Sequence, residues 1–363
     1  MKSRYLLSVL FLIGAVCFGQ ERAFAWGDEG HQIVCSIAYK ELTPSARQKV
    51  DSLIAQDSEF RAFPQACTWM DHPRKRKVEH YVNIPRNATQ IMPADLCPGA
   101  DKCVVTAILN DMRDLALTTR DADQLSLIKS LGHWVGDIHQ PLHVSFEDDH
   151  GAGFINGTSP CNTDLHGVWD TCIIEQTLGE DPETAAIEIR SEIDSTERAA
   201  WTKGDVDEKV VLGWANTSLE ISLAPGTEYC VKVGNECHYT SDEVSFDGHS
   251  KKTVTTDEAY IERQAPLVKK QLQMAGVRLG YIINRIFSTT EDVAALNAPS
   301  FSLERVLLAR GPLPVAPPIN VEALQPIAGA DIGNNTSLQA KVDELTTRIR
   351  VLELALAGSQ ARQ

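Results

Sequence analysis

Two histidine–aspartate pairs in the sequence share a spacing of four residues. His133 and Asp137 form the ends of H-W-V-G-D, and His166 and Asp170 form the ends of H-G-V-W-D. Residues four apart project from one face of a helix, and imidazole nitrogen with carboxylate oxygen suits a borderline cation such as Zn²⁺. One such pair is more often a cap or a surface ion pair, whereas two pairs with a further histidine favour a metal site.

That further histidine, His143, closes the segment D-I-H-Q-P-L-H. Because Pro141 cannot continue a helix, it should end or kink the helix and turn His143 back toward the preceding turn. His139 lies inside the same segment. We expect His139 to orient a ligand or cap the helix rather than bind metal itself.

The N-terminus has the organisation of a secretory signal at residues 1–25. Two basic residues precede the apolar run 5–18, and A-F-A at 23–25 is a small-x-small cleavage site. Cleavage is therefore predicted before Trp26, in a secreted or periplasmic protein. Lipidation at Cys17 is the disfavoured alternative, because valine is a poor residue before a lipidated cysteine.

Cleavage at this point would free the α-amine of Trp26, with His31 five residues further on. A free α-amine has a pKa near ~7.7–8.0, so a metal displaces its proton easily. The amine and the carbonyl oxygen of one residue together form a five-membered chelate. On composition alone, simple packing of Trp26 against the core is the favoured alternative.

An even number of cysteines in an exported chain indicates disulfide bonds. Eight cysteines follow the predicted signal, and they allow on the order of a hundred pairings. One pairing closes three short loops and leaves one longer link: Cys97–Cys103, Cys161–Cys172, Cys230–Cys237 and Cys35–Cys67.

The composition predicts a soluble globular protein that can bury a sizeable core. The chain has 363 residues, 43% of them hydrophobic, and a net charge of −15. Removal of residues 1–25, whose charges sum to +2, would leave −17. Disorder of the whole chain and a basic nucleic-acid scaffold are excluded on these grounds. Beyond the N-terminal segment, no apolar run reaches the roughly 18 residues that a membrane span needs.

Composition and periodicity divide the rest of the chain into three parts. Residues 26–290 are predicted as one mainly helical domain, residues 291–333 as a proline-rich linker, and residues 334–363 as a short coiled-coil helix. Apolar residues recur in steps of four and three between 338 and 356, so self-association is slightly favoured over docking on the parent domain. The clearest helices are predicted at 104–117, 125–139, 185–193, 209–221 and 260–287.

Five short motifs together resemble those of the single-strand-specific trinuclear zinc nucleases of fungi, plants and bacteria, the S1/P1 type. They are W-G-x-x-G-H from Trp26, T-W-M-D ending at Asp71, H-Y-V-N from His80, G-D-I-H-Q-P-L-H-V from Gly136, and L-H-G-V-W-D from Leu165. The motifs follow the family's order between residues 26 and about 287. The resemblance implies a mainly helical, disulfide-linked fold related to zinc phospholipase C, with the metal cluster at the bottom of a cleft.

The resemblance also implies that nine residues hold three Zn²⁺ ions. One ion would be held by Asp71, His80 and His133; a second by the amine and carbonyl of Trp26 with His31; a third by His143, His166 and Asp170; and Asp137 would bridge the first two ions. A hydroxide between the ions at Trp26 and Asp71 would attack the phosphodiester, with Asp137 orienting it, while the third ion stabilises the leaving group. The expected reaction is hydrolysis of single-stranded DNA and RNA to 5′-phosphorylated products, with 3′-nucleotidase activity left open.

Substrate contacts are expected from residues beside the predicted ligands. Arg74 is a candidate for phosphate contact and Tyr81 for base stacking, with ordinary surface roles an equal alternative. Asn83 stands where the family usually has a base-contacting aspartate. The family's Gly-Gly-Asn is Gly-Ala-Gly at 151–153, so the contacts of that loop stay open.

Two other functions fit part of the pattern. A zinc phospholipase C would use a similar metal set on a lipid phosphodiester, but the motifs at 26–31 and 139–144 are closer to those of the nucleases. A metal-sequestering or structural protein would use the same ligands, although storage needs no bridging carboxylate. Incubation with single-stranded DNA, RNA and phosphatidylcholine, with and without a chelator, separates the three.

Overall fold

The computed structural model describes residues 26–229, 231–234, 236–238, 253–289 and 292. Most of this part of the chain is helical, and the predicted mainly α fold is confirmed. The predicted signal, the Cys230–Cys237 pairing, the linker apart from residue 292, and the coiled coil at 334–363 lie outside the described residues. Those four assignments stay predictions.

Eleven helices carry the fold within the described ranges. In chain order, α1 to α11 are Asp28–Lys40, Pro44–Ile54, Phe63–Ala66, Val104–Leu117, Asp121–Ile138, Leu165–Gly167, Ile173–Leu178, Pro182–Ser191, Ser195–Trp201, Glu208–Ser222 and Glu258–Phe287. Short 3₁₀ turns lie at Lys77–His80, Pro141–His143 and Pro225–Thr227, and a π-helical turn at Val168–Cys172 joins α6 to α7.

Six short strands form three pairs. The strands β1 to β6 are Val82–Ile84, Val144–Phe146, Asn156–Gly157, Val231–Val233, Glu236–His238 and Thr253–Val254. β1 pairs in parallel with β2, β3 in parallel with β6, and β4 antiparallel with β5. β1 begins just after His80 and β2 just after His143. Pairing of these two strands therefore brings the two predicted ligands together.

The five predicted helices are present as α4, α5, α8, α10 and α11. α4 has the predicted bounds, but the other four begin one to four residues earlier than predicted. For α8, α10 and α11 the reason is capping: Asp181, Asp207 and Asp257 each accept a hydrogen bond from the backbone N–H three residues on. Each helix therefore starts at its cap, before the first apolar residue that the periodicity registers.

Helix α5 is the centre of the core. Every residue from Ile128 to Ile138 is buried, and α1, α2, α4, α10 and α11 pack around it. A polar side chain on such a helix is costly unless something pairs it. His133 and Asp137 are two such side chains, and both are fully buried.

Three of the four predicted disulfide bonds are confirmed: Cys35–Cys67, Cys97–Cys103 and Cys161–Cys172. The first ties α1 to the segment after α3, directly over Gly132 of α5. A Cβ at Gly132 would lie only 2.4 Å from Cys67 Sγ, so the disulfide can sit against the helix only because this residue is glycine. Within the described ranges, no helix combines the length and apolarity that crossing a membrane requires.

The C-terminal heptads predict an oligomer. Deletion of residues 311–363 should leave a monomer with near-normal turnover, because every predicted ligand lies before residue 171. Light scattering at micromolar concentration compares the masses of the intact and shortened chains. An intact chain that is already monomeric contradicts the predicted association.

Candidate metal centre

Three clusters of histidine and aspartate side chains meet between α1, α5 and the loops that follow α3, α5 and β3. We call them the first cluster (Asp71, His80, His133), the second cluster (His31, His133, Asp137) and the third cluster (His143, His166, Asp170). In each cluster one nitrogen or oxygen atom per residue lies within 4.8 Å of the others. The structure thus brings together eight of the nine residues that the motifs singled out.

The backbone elements explain why these side chains converge. His133 and Asp137 lie one turn apart on α5, as the spacing predicts, and α5 ends before Pro141, whose 3₁₀ turn carries His143. The second pair differs from the prediction. His166 lies on α6, but Asp170 lies on the π-helical turn, and the two side chains still meet, with His166 Nε2 3.3 Å from Asp170 Oδ2.

Backbone carbonyls fix the rings of the first cluster. His133 Nδ1 lies 2.8 Å from the Cys67 carbonyl oxygen, and His80 Nε2 lies 2.9 Å from the Lys75 carbonyl oxygen. A carbonyl oxygen only accepts, so each of these nitrogens donates its hydrogen. In a neutral ring the other nitrogen then carries a lone pair, which is the form that binds a metal.

The two remaining lone pairs point at each other. His133 Nε2 and His80 Nδ1 are 3.1 Å apart, and Asp71 oxygens lie 3.5 Å and 3.6 Å from these two nitrogens. Ligands about 2.0–2.1 Å from a tetrahedral Zn²⁺ are roughly 3.3 Å from one another. Three acceptors at this spacing repel one another unless a cation lies among them.

The third cluster is built in the same way. His143 Nδ1 donates to the His80 carbonyl oxygen at 2.6 Å, and His166 Nδ1 donates to the Gly151 carbonyl oxygen at 2.7 Å. The opposite nitrogens face Asp170, His143 Nε2 at 4.0 Å from Oδ1 and His166 Nε2 at 3.3 Å from Oδ2. The Gly-Ala-Gly loop at 151–153 therefore contacts this cluster through a backbone carbonyl.

Asp137 has the position of a bridge between the first and second clusters. Its Oδ1 lies 3.5 Å from His31 Nε2, and its Oδ2 lies 3.3 Å from His80 Nδ1 and 3.5 Å from His133 Nε2. Neither oxygen has a hydrogen-bond partner within the described part of the chain, and the residue is fully buried. Burial raises the pKa of Asp137 to about 7.

Burial acts in opposite directions on the two ligand types. It lowers the pKa of His80 to about 4, with the nearby Arg74 adding to the effect, and it holds the pKa of His133 and His143 well below the usual range. It also raises the pKa of Asp170 well above its usual range. His80, His133 and His143 therefore keep a lone pair at neutral pH, while burial disfavours the charged form of Asp170.

The buried polar atoms without partners test whether cations fit here. Within the described ranges, both ring nitrogens of His31, Asp71 Oδ1, both oxygens of Asp137 and Asp170 Oδ2 are buried and make no hydrogen bond. Unsatisfied buried polar atoms are rare in folded proteins, and these six lie together on residues of the three clusters. Imidazole nitrogen and carboxylate oxygen donors at this spacing suit Zn²⁺.

Trp26, the ninth predicted ligand, is fully buried beside these clusters. A Cβ at Gly30 would lie 2.8 Å from Trp26 Cβ, so α1 packs closely on this residue. The next residue, Gly27, donates its backbone N–H to the Asp170 carbonyl oxygen at 2.9 Å. The start of the described chain is therefore anchored between the second and third clusters.

The predicted substrate residues follow two ligands of the first cluster, Asp71 and His80, closely in the chain. Arg74 Nε is 3.9 Å from Asp71 Oδ1, and its side chain is 22% exposed. Tyr81 and Asn83 are half-buried and two residues apart in an extended segment, so they face the same side, opposite the buried Val82 and Ile84. The structure thus places one guanidinium at the first cluster and two polar side chains on a strand leading away from it.

His139 lies outside the three clusters. It is the C-cap residue of α5, its Nδ1 donates to the Val135 carbonyl oxygen at 2.7 Å, and Arg278 of α11 lies 2.6 Å from its Nε2. This position is that of a helix cap, one of the two roles expected for His139. The His139 ring therefore links α11 to the C-terminal end of α5.

Gln140 is a site residue that no sequence signal identified. Its Nε2 donates to Asp170 Oδ1, which leaves Oδ2 directed at His166. The side-chain oxygen of Gln140 accepts from Leu142 N at 2.5 Å. Gln140 therefore orients the carboxylate of the third cluster. Its place inside the segment D-I-H-Q-P-L-H could have drawn attention to it, although the residue type alone does not.

Gly136 is a second such residue: it lies inside a family motif, but nothing in the sequence assigned it a role. A Cβ at this position on α5 would lie 2.8 Å from His31 Nδ1 and 3.0 Å from His31 Cε1. Gly136→Ala should displace the His31 ring and weaken metal binding at the second cluster by roughly 10- to 100-fold. Zinc titration against a competing chelator measures the loss.

Gly213→Ala is the matched control for this prediction. Gly213 also lies inside a helix, α10, but a Cβ there would meet nothing within 4 Å. This change should leave zinc binding unaltered and stabilise the fold by about 0.5–1 kcal/mol. Equal zinc binding by both variants would show that His31 does not need the close approach at Gly136.

Comparison with known proteins is a second kind of evidence, beside the geometry, on what this chain is similar to. A family model described as S1/P1 Nuclease matches residues 26–288. Endonuclease 2 of Arabidopsis thaliana is 29% identical over 279 residues, which cover 72% of this chain and 90% of that protein. Endonuclease 3 of the same plant is 26% identical over 303 residues, covering 80% and 97%. Nuclease S1 of Aspergillus oryzae is 24% identical over 283 residues, covering 73% and 93%.

Proposed function

Because this chain belongs to the S1/P1 nuclease family, we propose that it is an exported zinc-dependent endonuclease that cuts single-stranded DNA and RNA and leaves 5′-phosphorylated products. It is a hydrolase of nucleic acids, as the family is. The preference for single strands, the 5′-phosphate, a possible 3′-nucleotidase activity, export and the number of zinc ions are the proposed parts.

One observation carries most of the proposal. The lone pairs of His80 Nδ1 and His133 Nε2 face each other at 3.1 Å, with Asp71 oxygens 3.5–3.6 Å away. Hydrogen bonds to two backbone carbonyls fix this arrangement, so rotating either ring would break one of those bonds. An isolated protein gains nothing from such a contact, whereas a bound cation makes it favourable.

The proposed ligands of three Zn²⁺ ions follow from the clusters. The first cluster would hold one ion, Trp26 and His31 a second, and the third cluster the third, with Asp137 shared between the first two. Trp26 would contribute its α-amine and carbonyl oxygen. Its burial beside His31 and α5 supports this role, and the amine requires cleavage of the chain before Trp26.

Bound zinc would lower the pKa of water to about 7 and neutralise charge on the phosphate. Asp137 and Asp71 would hold the other zinc ligands in place around the attacking water. No side chain acts as a separate general base. Arg74, 3.9 Å from Asp71, would donate to a phosphate oxygen at the first cluster. Tyr81 would stack on a base.

The test of this function uses three substrates. The chain beginning at Trp26 should degrade single-stranded DNA and RNA, lose this activity with a chelator, regain it with zinc, and leave phosphatidylcholine intact. His133→Ala should slow cleavage strongly, though less than a change at Asp137, because His133 belongs to two clusters. His72→Ala is the control, since the His72 side chain is 46% exposed, belongs to none of the three clusters and forms an ion pair with Asp28 at the surface. Cleavage of the lipid instead of the nucleic acids would favour a phospholipase C.

Base preference is the prediction that concerns Asn83. An aspartate only accepts hydrogen bonds, whereas asparagine both donates and accepts. Asn83 lies on the half-buried side of β1, two residues after Tyr81. It should relax or alter the base preference usual in the family, so Asn83→Asp should shift the cleavage pattern. Sequencing the products from random single strands compares the two proteins, and identical profiles would remove Asn83 from base selection.

A further inference from the structure

The loop after β2 turns through three consecutive residues with positive φ. His150, Gly151 and Ala152 have φ angles of 54°, 64° and 70°. Glycine adopts this region freely, but the other two residues are held there against their steric preference. A Cβ at Gly151 would lie 2.4 Å from the Leu142 carbonyl oxygen, so no side chain fits at the centre of the turn.

This turn delivers a backbone carbonyl to the third cluster. The Gly151 oxygen accepts the hydrogen of His166 Nδ1 at 2.7 Å. That bond leaves His166 Nε2 3.3 Å from Asp170 Oδ2. The orientation of a proposed zinc ligand therefore depends on a turn that its own residues disfavour, and something else must hold the turn in place.

A buried carboxylate, Asp149, holds it, together with backbone hydrogen bonds from His150 N to the Glu147 carbonyl and from Gly151 N to the Phe146 carbonyl. The side chain of Asp149 is 1% exposed. Its Oδ1 accepts from Ala152 N at 3.0 Å and from the Tyr229 hydroxyl at 2.7 Å, and its Oδ2 accepts from Arg86 at 2.7 Å. Asp149 belongs to none of the three clusters found among the described residues, so it acts on them through the loop.

Both side-chain partners of Asp149 are fixed by elements outside the loop. Arg86 follows β1, and its guanidinium lies 4.2 Å from the centre of the Phe146 ring. Tyr229 is fully buried, with its ring 5.5 Å from the same phenylalanine. A satisfied buried network of this kind specifies one conformation. The turn is therefore tied both to the β1–β2 pair and to the segment after α10.

We infer that Asp149 is a positioning residue for the third cluster: by holding the 150–152 turn, its carboxylate keeps the Gly151 carbonyl on His166 and so sets the affinity of that cluster for Zn²⁺. This inference rests on the proposed function, because it requires the third cluster to hold a metal ion. Partners that orient metal-binding histidines typically change affinity by roughly 10- to 100-fold.

The test compares two neighbouring aspartates that share one partner. Asp149→Asn replaces one accepting oxygen with an amide N–H₂ that only donates, so the side chain can no longer accept at both the Arg86 and the turn positions. The control is Asp148→Asn: Asp148 also binds Arg86, at 2.9 Å, but its side chain is 35% exposed and, within the described ranges, its hydrogen bonds go to Arg86 and not to the turn. Zinc titration against a competing chelator gives a dissociation constant for each ion. His166→Ala identifies the constant that belongs to the third cluster.

Asp149→Asn should weaken the third constant by roughly 10- to 100-fold and leave the other two within about twofold, while Asp148→Asn changes none of them. In the background of His166→Ala, adding Asp149→Asn should cost little more zinc affinity, because both changes act on one bond. Tyr229→Phe, which removes a single hydroxyl, should give a smaller loss at the same constant and decides the matter if Asp149→Asn does not fold.

Two results would overturn the inference. One is a third constant equal to that of the wild type in Asp149→Asn or, where that variant fails to fold, in Tyr229→Phe. The other is an equal weakening of all three ions, which is the sign of a general loss of structure. A wild-type chain that never binds a third ion would instead overturn the proposed function, so the two failures are distinguishable.

Discussion

A chain that carries one extra residue, glycine or methionine, ahead of Trp26 should bind one zinc ion fewer and cut single-stranded DNA roughly a hundredfold more slowly, or worse. With the extension, the Trp26 nitrogen becomes an amide whose lone pair is delocalised into the peptide bond. It is then a poor ligand at neutral pH, although no side chain has changed. Bound metal supplies several kcal/mol to such reactions, and each 1.36 kcal/mol is a tenfold change in rate.

The space around Trp26 strengthens this expectation. The residue is fully buried, α1 packs on it at Gly30, and the neighbouring Gly27 has no room for a side chain, since a Cβ there would lie 2.5 Å from Thr171 Oγ1. An uncleaved signal would therefore have to leave from within the metal centre. The precursor should be nearly inactive even when it is folded, oxidised and supplied with zinc.

The control is the same extended protein after its extra residue has been removed by a protease. Zinc content by elemental analysis and cleavage of single strands should both recover on trimming. An extended protein that binds three zinc ions and cuts at the native rate would refute the N-terminal chelate and leave Trp26 as a packing residue, the alternative that composition favours.

The ligand set illustrates what sequence alone can predict. The four-residue spacing of His133 and Asp137 predicts that their side chains lie on one face of a helix, and both do lie on one regular helix. The spacing of His166 and Asp170 brings them together through a different turn, a π-helical one. The pattern was sufficient in both cases because a side chain four residues on stays within reach in either geometry. The remaining ligands come from separate loops, and only the family motifs connect them.

The groups that orient the ligands were not predictable in this way. The rings of His80, His133, His143 and His166 are fixed by backbone carbonyls, and every residue has a carbonyl, so no residue type marks these positions. Gly132 and Gly136 matter for the side chain that they lack. Their spacing on α5 resembles any pair of helical glycines until the disulfide and His31 are seen to pack against them.

Asp137→Asn should be the most damaging single substitution in the protein, lowering activity by roughly a thousandfold or more. Asp137 directs one oxygen at His31 and the other at His80 and His133, so one carboxylate serves two proposed ions. Asparagine offers a single accepting oxygen, and its amide N–H₂ would face a ligand nitrogen or a cation. The loss of two sites at once multiplies their separate contributions to the rate.

Zinc content distinguishes a bridge from an ordinary ligand. Asp170→Asn should weaken the third ion alone, whereas Asp137→Asn should weaken the two others together. Asp121→Asn is the control on the same helix: that carboxylate is 45% exposed and pairs with Lys49 far from the centre. A variant Asp137→Asn that loses one ion only, or that keeps full activity, would show that the carboxylate does not bridge.

Stability should respond in opposite directions with and without metal. Burial raises the pKa of Asp137 to about 7, above the value near 3.8 of a free aspartate. At pH 8 the folded, metal-free protein therefore holds an ionised carboxylate that would be better solvated when unfolded, and this cost fades as the pH falls below about 7. Asp137→Asn removes the charge, so at pH 8, with zinc removed by a chelator, the variant should melt at a higher temperature than the wild type.

With zinc present the order of melting temperatures should reverse, because the wild type then gains the binding energy of ions that the variant holds poorly. If the variant melts above the wild type both with and without zinc, the Asp137 carboxylate does not bind zinc.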